Sequence, residues 1–183
     1  MPNTAEISIP TPLGTLRGYT LEHPNLKVSL STQNHNPILP TGMSISQCKL
    51  LMWSIRAIRN CNKIKSVCKL EPAHGISEDP DTGEHVDCLT FETKKHILSL
   101  ATDDGEYLNF RAKKKILPDR FVTLHPDGLY SWVNYIKNGL EIVVPELHAS
   151  ECVELRFSVA WKEKGKTKDD MSTWFGADSA LRD

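Results

Sequence analysis

A chain of 183 residues with 39% hydrophobic and 25% charged side chains has the make-up of a folded domain, not of a disordered or fibrous protein. Its 22 basic and 23 acidic residues leave a net charge of −1, which removes any bulk electrostatic argument for a nucleic-acid or membrane partner. A chain of this size buries roughly 70% of its unfolded surface, so it needs no metal or disulfide to fold, and a single domain over 1–183 is expected.

The opening residues lack a basic segment and carry Pro10 and Pro12 where an apolar stretch would have to run, so no signal peptide is expected. The most apolar run, 50–58, is interrupted by Arg56 and is far short of the roughly 18 residues of a membrane span. A cytoplasmic protein without a membrane partner is the expectation. The cysteines, Cys48, Cys61, Cys68, Cys88 and Cys152, are odd in number and contain no C-x-x-C. That pattern points to reduced core thiols and not to a disulfide framework or a zinc ribbon.

In chain order, strands are expected at 6–9, 15–21 and 26–32. They are separated by turns at 10–14 and 23–25. In the third, Leu26, Val28 and Leu30 share one face while Lys27 and Ser29 take the other, the period of a half-buried strand. After a loop at 33–42, Ser44 and Gln47 match a helix capping box, with Met43 and Cys48 at staple positions. Cys48, Leu51, Ile55 and Ile58 then recur at helical spacing, so the main helix is expected at about 44–60.

A strand at 67–70 and an exposed loop at 73–84 follow. Further strands are expected at 85–91, 96–102 and 106–112, the last two forming a hairpin about Asp103, Asp104 and Gly105. The stretch 121–124 reads as extended and 125–128 as a turn. Leu129, Trp132, Val133 and Ile136 suit a second short helix at about 129–137, although Asn138–Gly139 is equally a hairpin turn. Strands at 140–144 and 152–162 come next, the latter alternating Val153, Leu155, Phe157, Val159 and Trp161 with polar residues. A charged loop over 162–170 leads to a last short strand at Thr173, Trp174 and Phe175. The fold class is α+β: an antiparallel, β-rich sheet or sandwich with one main packed helix.

Charge is unevenly distributed. Through Leu70 it sums to +6, and over 71–110 to −8. Asp79, Asp81, Glu84, Asp87, Asp103 and Asp104 therefore form a candidate acidic patch for a basic partner. Lys49, Arg56, Arg59 and Lys63 would share one face of the main helix and are a candidate partner-binding face. They lack the interleaved aromatics of a nucleic-acid surface. Trp174 and Phe175 are candidate exposed anchors.

Asp79, Asp81, His85 and Asp87 alternate as metal ligands might, but Pro80 and Gly83 break the spacing of a calcium loop, so no metal or cofactor is expected. The histidines form no H-E-x-x-H, and no nucleophile elbow or phosphate loop is present. A catalytic site is not legible, and pairing of His96 with Cys88 is one arrangement among many. The functional expectation is a non-enzymatic protein-binding domain, of the inhibitor or immunity type. The alternatives are a small hydrolase assembled from dispersed His, Asp and Cys residues, or nucleic-acid binding through the basic helix.

Overall fold

The computed structural model describes residues 5–21, 24–72, 76–122, 132–165 and 171–182. It is a sandwich of two antiparallel sheets. Sheet one contains β1 (Glu6–Thr11), β2 (Gly14–Thr20), β5 (Ile64–Pro72), β10 (Gly139–Val144) and β9 (Val133–Ile136), in that spatial order. Sheet two contains β3 (Leu26–Asn34), β4 (Gln47–Ala57), β11 (Cys152–Glu163), β8 (His96–Asp103), β7 (Val86–Glu92) and β6 (Ser77–Gly83). Two helices, α1 (Gly105–Lys113) and α2 (Ser172–Arg182), complete it.

The inner faces meet in one apolar core. Leu16, Leu70, Ile142 and Val144 of the first sheet pack with Leu51, Trp53, Ile55, Leu100 and Phe157 of the second. Trp53 is fully buried, its ring 4.6 Å from that of Phe157. Leu108 and Ala112 of α1 join the same core. α2 lies on the outer face of sheet two, where Ala177, Ala180 and Leu181 cover Cys48, Leu50, Cys88, Ala101 and Ala160. Small residues on both sides allow this approach: a Cβ on Gly176 would stand 3.2 Å from that of Ala160.

The expected main helix at 44–60 is instead strand β4. It lies between β3 and β11, with Trp53 opposite Leu30 on one side and Leu155 on the other. Its alternate residues Leu51, Trp53 and Ile55 enter the sandwich, while Cys48 and Leu50 go under α2. A strand covered on both faces has a nearly continuous apolar run, which satisfies helical spacing by accident. Ser44 does not cap a helix; its N–H donates to Ser172 Oγ at 3.3 Å.

The second expected helix, at 129–137, is also corrected in its described part: Val133–Ile136 is β9, paired with β10. The hairpin alternative is the observed one, with Asn138 at φ 60°. Gly139 is required there because a Cβ would lie 2.4 Å from the Cys68 carbonyl oxygen. Residues 129–131, like the turn expected at 125–128, lie outside the described residues.

Four further departures concern shorter elements. The expected 106–112 strand is α1, because Asp104 accepts from the Tyr107 N–H at 2.7 Å and starts a helix in place of a hairpin turn. Trp174 and Phe175 belong to α2, not to a strand. In its described part the expected 73–84 loop is mostly edge strand β6, and of the extended stretch expected at 121–124 Phe121 ends a 3-10 turn, Asp119–Phe121, while 73–75 and 123–124 lie outside the described residues.

Cys48, Cys61, Cys68 and Cys88 are buried and Cys152 is exposed, all with free thiols. Burial pushes the Cys48 thiol up to about 12 and raises those of Cys68 and Cys88 as well. A thiol reagent is therefore expected to label one cysteine, Cys152, rapidly in the native protein, and the other four only after unfolding. Rapid native labelling of a second thiol, read by mass spectrometry, would contradict this core.

Candidate functional site

Antiparallel pairing gathers the acidic segment at one corner of sheet two. Asp81 of β6 stands opposite Cys88, and Asp103, the last residue of β8, stands opposite Val86. Glu84 and His85 form the turn between β6 and β7. The six candidate carboxylates nevertheless have different environments. Asp79 and Glu84 are exposed, Asp81 and Asp104 are half-buried, and Asp87 and Asp103 are buried.

Asp103 is neutralised from within. Arg111 of α1 donates to its Oδ2 at 2.9 Å, and Arg156 of β11 reaches Oδ1 at 3.1 Å and Oδ2 at 3.2 Å. Arg111 also donates to the Glu154 carbonyl at 3.0 Å. Burial raises the Asp103 carboxyl pKa, while the Arg156 and Arg111 guanidiniums pull it back down. This network ties α1 to sheet two and, with two guanidiniums to one carboxylate, removes Asp103 from the acidic surface.

Asp87 faces the sandwich edge. The Tyr135 hydroxyl of β9 donates to its Oδ1 at 3.0 Å and accepts from the Cys88 N–H at 3.2 Å, joining the two sheets. Desolvation raises the Asp87 carboxyl to about 6 against the lowering effect of the Tyr135 hydrogen bond, and Asp104 adds to the rise.

Asp104 caps α1, as above. His85 stands beside it with φ 69°, its ring 5.6 Å from that of Tyr107. Arg182, at the end of α2, lies 4.9 Å over the Tyr107 ring and donates to Asp178 Oδ1 at 2.8 Å and to the Glu84 carbonyl at 3.0 Å. His85, Asp104 and Glu106 bring one imidazole and two carboxylate ligand atoms within 4.8 Å of one another. Both carboxylates already serve the positive end of α1, and the Arg182 guanidinium acts on Asp104 in opposition to any added cation.

The two candidate anchors sit against this corner. The Trp174 indole lies on Gly83 of β6, where a Cβ would come within 2.3 Å of its ring. Phe175 packs edge-on to Trp174 at 5.2 Å and remains 37% exposed, next to Met171 at 40%. Trp174 thus sets α2, with its exposed Phe175, against the end of β6 that leads into the acidic turn. Neither β6 nor β7 carries a Lys or Arg.

The candidate basic face does not assemble. Lys49 and Arg56 both lie on β4, an odd number of residues and about 23 Å apart at the strand rise. They therefore point to opposite faces of the sheet, and Lys49 is engaged by Asn34 Oδ1 at 2.7 Å. Arg59 and Lys63 are exposed in the segment after β4. His96 and Cys88 are also apart: His96 lies about 17 Å along β8 from Ala101, the residue opposite Cys88.

The sequence reading missed Tyr135, Arg111, Arg156, Arg182 and Glu106. No local spacing signals any of them, because each meets its partner through strand pairing or helix docking. Glu106 is the exception, two residues from Asp104 and readable as a first-turn acid once α1 is recognised.

No protein-family model and no curated protein sequence matches this chain. Among solved structures the chain is similar to a putative kojibiose phosphorylase from the human microbiome, at 13% sequence identity and a TM-score of 0.45. That match covers 92% of this chain and 20% of the phosphorylase chain, so the present chain spans about a fifth of that protein's length. Among the described residues, no helix is long and apolar enough to cross a membrane.

Proposed function

We propose that this chain is a non-enzymatic, cytoplasmic protein-binding module, of the inhibitor or immunity type, that recognises a basic protein surface through β6 and the adjoining face of α2. One observation supports this reading above the others. Asp79 and Asp81 share the face of β6 on which Trp174 of α2 covers Gly83, Glu84 follows in the turn, Phe175 and Met171 of the α2 end are half-exposed, and neither β6 nor β7 carries a Lys or Arg. Carboxylates around an aromatic anchor match the general anatomy of interfaces, in which a desolvated apolar centre supplies affinity and the charged rim supplies rate and selectivity. Pro80 on this edge obstructs addition of a further strand, so recognition runs through side chains.

The test uses the intact chain as bait in native lysate, with captured protein identified and its affinity measured at low and high salt. Asp79→Lys/Asp81→Lys is expected to weaken capture by about tenfold or more, since like charges across an interface cost several kcal/mol. Phe175→Ala is expected to accelerate dissociation. Capture unaffected by both variants, or abolished only by Arg56→Glu/Arg59→Glu, overturns the proposal.

A further inference from the structure

The four outer strands of the two sheets are protected unequally. β1 contains Pro10, β6 contains Pro80 and three carboxylates, and β9 is four residues long. Each is a recognised means of stopping another strand from adding to an open edge. β3 has the least of them, a single lysine near its start. It runs for nine residues, Leu26–Asn34, without proline, and its only charge is Lys27. One edge pairs with β4 along its whole length; among the described residues no other strand pairs with it. Ser29, Ser31, Thr32, Gln33 and Asn34 are exposed and Leu30 is half-buried, so among the described residues this part of the strand is largely uncovered. Leu26, Val28 and Leu30 are only half-buried at this rim, as is Ile7 of β1, which lies against β3 from the other sheet.

From this we infer that β3 is a homotypic interface, pairing antiparallel with β3 of a second copy of this chain about a two-fold axis at Leu30. Self-pairing is favoured by the strand's own sequence. With the axis at Leu30, all nine residues overlap, Leu30 meets Leu30 of the second copy, and Val28 meets Thr32. On the outer face Lys27 meets Gln33 and Ser29 meets Ser31. The single charge is thus never opposed to itself, and Leu30 of each copy forms an apolar pair at the centre of the seam. Such an isologous contact closes after two copies, joining the six-stranded sheets into one and satisfying both free rows of backbone groups. The inference is independent of the proposed β6 surface, which lies at the opposite edge of the same sheet.

The experiment is sedimentation across a dilution series of the full chain. The wild type is expected to be a dimer that dissociates on dilution. Ser29→Lys/Ser31→Lys places like charges opposite one another at the seam, and Ser29→Asp/Ser31→Asp does so with the opposite sign. Both serines are exposed, so each variant keeps its far-ultraviolet spectrum. Each alone is expected to dimerise at least about tenfold more weakly, whereas an equimolar mixture of the two regains the dimer. A wild type that is monomeric at every concentration overturns the inference and leaves the edge to an extended segment of a different protein. Variants that dimerise as the wild type does, or a mixture that fails to regain the dimer, overturn it equally.

Discussion

Replacing Asp103 with Ala is expected to lower the unfolding free energy by about 3–5 kcal/mol. The loss comes from what remains after the carboxylate is gone. Arg111 is almost wholly buried, its side chain 5% exposed, and Arg156 only 15%. Without Asp103 two guanidiniums share a desolvated corner with only the Glu154 carbonyl as a named acceptor for Arg111. Exposed pairs such as Lys115–Asp119, with side chains 75% and 68% exposed, contribute tenths of a kcal/mol by comparison. The control is removal of the whole network. Asp103→Leu/Arg111→Met/Arg156→Met is expected to recover most of the stability, because apolar replacements of similar volume avoid the desolvation that the ions pay. Urea titration at neutral pH measures both. An Asp103→Ala variant within 1 kcal/mol of wild type would mean that the buried cations find other partners.

The sequence read well where the two faces of an element differ in chemistry. β3, β8 and β11 show their period directly, because apolar residues on one side alternate with polar residues on the other or with residues small enough to admit α2. β4 fails for the opposite reason, since both its faces are covered over most of its length and the apolar run carries no period to read. α1 fails because its buried face includes Asn109 and Arg111 as well as Leu108 and Ala112, so the hydrophobic stripe that marks a helix is missing. α2 buries Thr173, Gly176, Ala177 and Ala180, residues chosen for smallness, while its large aromatics lie toward the edge.

The candidate site was legible as a composition and not as a geometry. A run of ten acidic residues over 71–110 was visible. Its division into an exposed β6 set, a helix cap at Asp104 and two buried carboxylates depends on register, which places Asp81 opposite Cys88 and Asp103 beside Arg156 across three strands. The basic set shows the converse. Four cations that share a helical face become, on a strand, a pair of opposite orientation and two residues beyond its end.

Asp87 gives the protein an expected dependence on acidity that runs against ordinary acid denaturation. Its carboxyl is raised from the usual 3.8 to about 6 in the folded state, so between those values the native protein binds more protons than the unfolded chain. Stability contributed by the protonated form is fully present below about 4 and is lost as pH rises through 6. A rise of this size corresponds to about 3 kcal/mol, at 1.36 kcal/mol per unit. Asp87→Asn keeps an oxygen for the Tyr135 hydroxyl and removes the buried charge. It is expected to be more stable than wild type at pH 7 by up to about 3 kcal/mol, with the difference shrinking below pH 6 and vanishing near pH 4. Asp103 is present in both proteins, so the difference between the two stability profiles reports Asp87 together with its coupling to Asp104. Denaturant midpoints at half-unit pH steps measure it, and a difference that is constant across the range would show that Asp87 remains ionised throughout. The Tyr135 hydrogen bond favours the ionised carboxylate, so the same protonation relieves the desolvation of Asp87 while weakening this link between β7 and β9 beside the β6 surface proposed to bind a partner.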